Sequence, residues 1–265
     1  MLGLFIAIGV AYAAVVGLLW TFQRSLLYPA TRGPVALPAD LPGFTETLIA
    51  TPDGERLVAW WKQPASPGRP VVLFLHGNGG SIADRTSRAK ALTADGTGLL
   101  LLSYRGYASS TGSPSEEGLH TDAVAAFDWI AAAAPGSRVA VYGESLGSGV
   151  AVRLATERPA VGLILDAPYT STVDVAAGIY WFVPVRALMR DHFASITRIG
   201  TLKVPILVLH GDRDGVIPFR QGEQLFAVAS EPKQFVRIAG GDHMGNLEAA
   251  EGYAAVTRFL AQHGQ

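Results

Sequence analysis

The chain contains no cysteine in its 265 residues. Disulfides, thiolate nucleophiles and cysteine-ligated zinc or iron–sulfur centres are excluded on that ground alone. Charge is scarce as well: Asp, Glu, Lys and Arg make up 16% of the residues against 49% hydrophobic, and the formal net charge is −1. No basic excess is available to neutralise a phosphate backbone, which removes nucleic acid as an electrostatic partner. Internal repeats and low-complexity tracts are also missing. What the chain has in abundance is apolar sequence, and the first question is whether some of it belongs in a membrane.

Residues 2–22 read LGLFIAIGVAYAAVVGLLWTF, with no charged side chain. At about 1.5 Å per residue this run reaches roughly 30 Å, enough to cross a bilayer core. A cleaved signal peptide and a buried core helix are the alternatives. A signal peptide carries a basic start and a small-residue cleavage site, whereas here Trp20, Phe22, Gln23 and Arg24 border the run, as at an anchor's interfacial edge. The expectation is a retained anchor over residues 1–23. Gly9, Ala13 and Gly17 recur every four residues on one face, a candidate homodimer seam, although Gly and Ala are frequent in membrane helices generally. Arg24 and Arg32 follow the span, so the bias of positive residues points the remainder of the chain to the cytoplasmic side.

Residues 24–43 are rich in Pro, Gly and Ala and read as a connector. From residue 44 to 265 a single domain is expected. It begins with two strand-like runs around a Pro52-Asp53-Gly54 turn, a hairpin signal. Beyond Pro70, short continuous apolar runs alternate with helical stretches. Runs such as Leu99 to Leu102 and Ile206 to Leu209 lack polar alternation, as parallel strands covered on both faces do. The predicted fold class is α/β, a mostly parallel doubly wound sheet. One long interruption, about 171–202, contains GIYWFVPVRALM and reads as a small helical cap. Tyr180, Trp181 and Phe182 within it are candidates to line an acyl pocket or dip into lipid, with packing of the cap itself as the alternative.

The segment from Gly143 to Gly147, GESLG, fits G-x-S-x-G. It lies between a strand pattern, RVAVY, and a helical one, SLGSGVAVRLATE, the setting of a nucleophile elbow. A serine on so sharp a turn occupies strained backbone, and flanking glycines let neighbouring segments approach. Ser145 is the candidate nucleophile. A neutral hydroxyl attacks poorly without an adjacent base and a group that orients that base. Among six histidines, His243 lies in the loop AGGDHMGN after a strand pattern and before the last helical one. His76 and His210 end strands, His120 is within a helical pattern, His192 is in the cap, and His263 is near the chain end. For the acid, HGDRDGVIP offers Asp214, beyond the turn, and Asp212, better suited to bracing that turn. Asp166 is the remaining candidate. A tetrahedral intermediate needs preorganised donors. The main-chain N–H of Leu146 is one candidate, and that of Asn78, in the glycine-rich HGNGG loop, is the other. Such loops also cradle phosphate, but no Lys-Ser or Lys-Thr pair follows to make a P-loop.

Taken together, HGNGG, SYRGYASSTGSPSEEG, YGESLGSGVA, HGDRDGVIP and GGDH resemble the membrane-anchored α/β-hydrolase-domain serine hydrolases. That group includes fungal bud-emergence-type proteins, monoacylglycerol-lipase-like bacterial enzymes and mammalian depalmitoylases. The apolar span followed by FQRSLLYPATRGP looks like the group's anchor and entry segment. The resemblance implies Ser145 as nucleophile, Asp214 as acid, His243 as base, and Asn78 with Leu146 as oxyanion donors. Acyl transfer by such a triad requires no metal or organic cofactor. The depalmitoylases carry an N-terminal cysteine cluster that this chain lacks. The expected activity is hydrolysis of carboxylic esters or thioesters of acyl substrates at a lipid bilayer. A peptidase or amidase of the same fold and a non-catalytic membrane-tethered scaffold are the competing expectations.

Overall fold

A computed structural model describes residues 1–264. The chain opens with one long helix, α1 (Leu2–Leu27), none of whose residues is buried. It is long and apolar enough to cross a membrane, with a mean hydropathy of 2.5 over its best window. The helix runs past the expected end at residue 23. Gln23, Arg24 and Leu27 are good helix formers, and the stop comes at Tyr28 (φ −120°), which precedes Pro29 and is pushed out of helical geometry by the proline ring.

The expected connector does not hang free. Tyr28, Leu41 and Phe44 are buried, and two isolated parallel bridges, Ala30 to Gly80 and Arg32 to Ala108, lay the segment along the domain. Tyr28 packs into one of the domain's core clusters and Leu41 and Phe44 into the other.

Eight strands form one sheet: β1 (Thr45–Ala50), β2 (Arg56–Lys62), β3 (Val71–Leu75), β4 (Gly98–Leu102), β5 (Val139–Glu144), β6 (Gly162–Asp166), β7 (Ile206–Gly211) and β8 (Lys233–Ile238). Their spatial order is β1-β2-β4-β3-β5-β6-β7-β8. The hairpin expected around Pro52-Asp53-Gly54 joins β1 to β2, with Gly54 at φ +91° taking the position a side chain would strain. The β1–β2 and β2–β4 pairs are antiparallel, and every later pair is parallel.

The continuous apolar runs are explained by two-sided cover. In β3, Val71, Leu73 and Leu75 face one core cluster while Val72 and Phe74 face the other. The first cluster is closed by α3 (Glu116–Ala133), α4 (Leu146–Ala155) and α7 (Phe219–Val228), and the second by α2 (Thr86–Thr93) and α8 (Ala250–His263). Each fully buried aliphatic or aromatic side chain contributes about 1.5–3 kcal/mol relative to exposure, so a polar residue in β3 would be costly on either face. Helix α3 starts where the Ser115 hydroxyl accepts a hydrogen bond from Gly118 N at 3.1 Å.

The interruption between β6 and β7 carries α5 (Thr172–Ile179) and α6 (Val185–Leu188), followed by two short 3₁₀ turns. Ser171 caps α5. These elements sit over the carboxyl ends of the parallel strands, where ligands bind in open α/β sheets.

Candidate active site

Ser145 stands between β5 and α4 at φ 50°, ψ −119°, a left-handed conformation rare for a residue with a Cβ. The packing explains the flanking glycines. A Cβ at Gly147 would collide with the carbonyl oxygen of Leu75, and one at Gly143 would sit 2.6 Å from Ser148 Cα. The turn is therefore pressed between β3 and its own following helix, and its serine is held at the carboxyl edge of the sheet. Leu146 begins α4, in the first turn, where main-chain N–H groups lack intrahelical acceptors.

Two loops from the neighbouring side of the sheet converge on that serine. Asp214 follows β7, and His243 lies between β8 and α8. His243 Nε2 is 3.0 Å from Ser145 Oγ, and its Nδ1 is 2.8 Å from Asp214 Oδ2. The carboxylate of Asp214 is fixed from behind, because its Oδ1 accepts hydrogen bonds from Val216 N and Ile217 N, both at 2.8 Å. Asp242 ties the two loops together by accepting from Gly215 N at 3.2 Å and from His243 N at 2.8 Å.

The electrostatics follow from this arrangement. Burial acts to raise the pKa of Asp214, but hydrogen bonds from His210 and His243 and the charge of His243 hold it well below the carboxylate range. Burial works against a charged His243, and the hydrogen bond and charge of Asp214 outweigh it, so the imidazole pKa is raised above its ordinary value.

Of the other candidates, His210 reaches the triad, with Nε2 3.4 Å from Asp214 Oδ2, while the side chains of Asp166, Asp212, His76, His120 and His192 are engaged elsewhere. Asp166 receives Tyr142 Oη–H at 2.6 Å and Asn246 Nδ2–H at 2.8 Å, and burial pushes its pKa up to about 6. Asp212 braces the adjoining loop, accepting from Gly240 N at 2.8 Å and pairing with Arg237. It was expected to hold its own turn; the partner amide belongs instead to the turn after β8, which crosses beside it. His76 is buried against Tyr104 and Tyr107, and burial lowers its pKa to about 4. His120 pairs with Glu157, and His192 with the carbonyl of Met189.

Asn78 is held at three points of its environment. Its side-chain Nδ2 donates to Leu27 O, at the end of α1, at 2.9 Å; its carbonyl accepts from Tyr107 Oη at 2.8 Å; and the preceding amide, Gly77 N, donates to Glu144 Oε1 at 3.1 Å. Glu144 itself is buried between two equally buried arginines, with Arg85 Nη2 at 2.7 Å and Arg88 Nε at 2.8 Å. Burial would raise its pKa, but the two guanidinium groups bring it below the usual value. This triad escaped the sequence reading. Arg85 and Arg88 are three apart and so share a helix face, but arginines in a helical pattern are ordinarily solvated, and the residue before the elbow serine is unconstrained by the motif.

A cavity of about 260 Å³ opens above Ser145, with Asn78 and Leu146 in its lining. Val175, Ala176, Ile179 and Tyr180 of the cap form one wall, and Val16, Leu19, Trp20, Gln23, Leu26 and Leu27 of α1 form another. Of the three cap aromatics proposed for the pocket, only Tyr180 lines it. Trp181 and Phe182 do not, because α5 ends at Ile179 and the chain turns outward after Tyr180, leaving Trp181 82% exposed. The participation of α1 had no signal in the sequence, since a helix apolar all round marks no face.

Comparison with known proteins is in accord with the geometry. Residues 66–196 match the family described as Serine aminopeptidase, S33. The Mycobacterium tuberculosis protein Rv2307c is 39% identical over 257 residues, 94% of this chain and 91% of its own length. Lysophosphatidylserine lipase ABHD12 of Xenopus tropicalis is 35% identical over 192 residues, 64% of this chain, which spans about half of that relative (50%). Among solved structures, the Pyrococcus furiosus esterase Pf2001 superposes with a TM-score of 0.74 at 21% identity, covering 90% of this chain and 99% of its own. This chain belongs to the α/β-hydrolase family. The fold it was expected to adopt is the fold it has, and its class of activity is that of a hydrolase.

Proposed function

We propose that the protein is a membrane-anchored serine hydrolase that cleaves carboxylic ester or thioester bonds of acyl substrates through an acyl-enzyme. The observation that carries this reading is the Ser145–His243–Asp214 relay, at 3.0 and 2.8 Å, opening into an apolar cavity. In the first half-reaction His243 takes the proton of Ser145 as Oγ bonds to the acyl carbon. The tetrahedral oxyanion is received by the main-chain N–H groups of Leu146 and Asn78. His243 then returns the proton to the departing alcohol or thiol. In the second half, water loses a proton to the same imidazole, attacks the acyl carbon, and releases the carboxylic acid with Ser145 restored. Asp214 keeps the imidazole in the needed tautomer and offsets its charge.

An aminopeptidase is the second reading, suggested by the description of the matched family. Such an enzyme holds a substrate ammonium group, and among the described residues no Asp or Glu lines the cavity. That absence favours an uncharged acyl group, as does the lipase relative. The test is labelling of the detergent-solubilised full chain by a fluorophosphonate, with turnover of p-nitrophenyl butyrate and of leucine p-nitroanilide. Labelling and ester turnover that both vanish in Ser145→Ala are expected. An unlabelled, inactive wild type refutes the enzyme reading, and faster anilide turnover overturns the ester preference in favour of the peptidase.

A further inference from the structure

The helix expected to serve as a membrane anchor contributes six residues to the cavity over Ser145: Val16, Leu19, Trp20, Gln23, Leu26 and Leu27. Their spacing of three and four places them on one face of α1. This face is applied to the cap along the length of the cavity, and the contacts sort by polarity.

At one end they are polar. Arg24 Nε pairs with Asp191 at 2.8 Å, Gln23 Oε1 accepts from Arg190 N at 2.8 Å, and the Arg190 guanidinium lies 4.2 Å from the Trp20 ring centre. Arginine and tryptophan are residues that settle at the border of a bilayer. At the other end the contact is between Tyr12 Oη and the carbonyl of Phe182, at 2.8 Å. Tyr12 lies ten residues before Phe22, which at 1.5 Å per residue is about 15 Å deeper along the axis, close to half the thickness of a hydrocarbon core. The cap tip fastened there is apolar and uncovered: Ile179 and Phe182 are exposed, and Trp181 most of all. In water that tip has no partner, whereas beside a spanning helix it has lipid. A groove lined by Tyr12, Ala13, Val16, Gly17, Trp20 and Leu188 continues the cavity outward along the same cleft, sharing Val16, Trp20 and Leu188 with it.

We infer that the cleft between α1 and the cap is a portal inside the bilayer, through which a membrane-resident acyl ester slides its hydrocarbon tail along α1 to reach Ser145. The cap tip is immersed beside the helix, and the inward face of α1 selects the tail. This rests on the proposed function for what happens at Ser145, but the immersion of the cap does not depend on catalysis.

The chain's lack of cysteine makes the test direct. Trp181→Cys and, as a reference on the far side of the domain, Arg258→Cys are each labelled with an environment-sensitive fluorophore. The full-length proteins are reconstituted in phosphatidylcholine vesicles containing a lipid spin-labelled at carbon 12 of its acyl chain. Quenching at 181 at least threefold stronger than at 258 is expected; equal quenching overturns the immersion. In the same vesicles, Leu19→Trp, on the inward face, is expected to lower the ratio of hexadecanoyl to butanoyl ester turnover at least tenfold. Leu18→Trp, on the outward face, is expected to leave the ratio unchanged. An unaltered ratio in Leu19→Trp refutes the role of α1 in selection. If wild-type Ser145 fails to react with fluorophosphonate, the proposed chemistry falls while the quenching result stands by itself.

Discussion

Glu144 is the residue whose removal the structure prices most clearly. Its carboxylate is the counter-ion shared by the buried side chains of Arg85 and Arg88, and it also accepts the amide of Gly77 in the loop that carries Asn78. Glu144→Gln preserves the shape and can still accept from Gly77, so the change isolates charge. Two buried guanidinium groups then lose their shared counter-charge; Arg85 keeps a 3.8 Å approach to Asp84 and hydrogen bonds to the carbonyls of Gly79 and Ser81, and Arg88 keeps a 3.4 Å approach to Glu248. Breaking a buried pair by neutralising one partner costs about 3–5 kcal/mol. In a domain of this size each kcal/mol lowers the melting temperature by about 2–4 °C, so the expected fall is roughly 6–20 °C. The assay is thermal unfolding in detergent, followed by circular dichroism at matched protein concentration. A triple variant, Arg85→Met with Arg88→Met and Glu144→Leu, is expected to regain most of the loss, because replacing a whole buried ion cluster by apolar side chains is often neutral. A Glu144→Gln protein melting within 2 °C of wild type would refute the argument that this charge holds the elbow and the Asn78 loop together.

Three further outcomes follow from the site. Because His243 must be neutral to take the proton and its pKa is raised, ester turnover should decline on acidification with a midpoint above the ordinary histidine value of 6.5; Asp214→Asn should shift that midpoint down while lowering kcat by about 10⁴-fold, and a pH–rate profile checks both. Gly147→Ala drives a methyl into the Leu75 carbonyl, so it is expected to cost about 1–3 kcal/mol and, by displacing Ser145, to reduce kcat/KM at least about 100-fold, read by denaturant titration and steady-state kinetics.

The same raised and lowered pKa values bear on stability. A raised His243 stabilises the fold below the unfolded histidine value and loses that contribution as pH rises through the native one. The depressed Asp214 contributes above its unfolded value of 3.8 and loses it as pH falls through the native one.

Much of this architecture was legible in advance because parallel strands bury both faces. Leu99 to Leu102 and Ile206 to Leu209 contain no polar residue to suggest otherwise, and each is a strand of the sheet. The hairpin was legible from Pro52-Asp53-Gly54, since its glycine supplies a conformation other residues resist. The elbow around Ser145 was legible from a motif whose glycines have a steric cause. Other features leave no local trace. Which side chain of GIYWFVP faces the cavity depends on where α5 ends, and Trp181 turned outward for that reason. The burial of Arg85 and Arg88 is decided by a carboxylate 59 and 56 positions away. The docking of residues 28–44 on the domain required knowing that Gly80 and Ala108 would lie beside them.

That docked segment has a consequence for where the catalytic unit starts. A polypeptide cut at the first strand, Thr45, would be missing more than a leash: it would lack the backbone that Gly80 and Ala108 bond across to, the buried rings of Tyr28 and Phe44, and the carbonyl on which Asn78 rests. The smallest piece that keeps all of these contacts begins inside the hydrophobic helix, so trimming away that apolar stretch and preserving the mouth of the cavity are opposing aims.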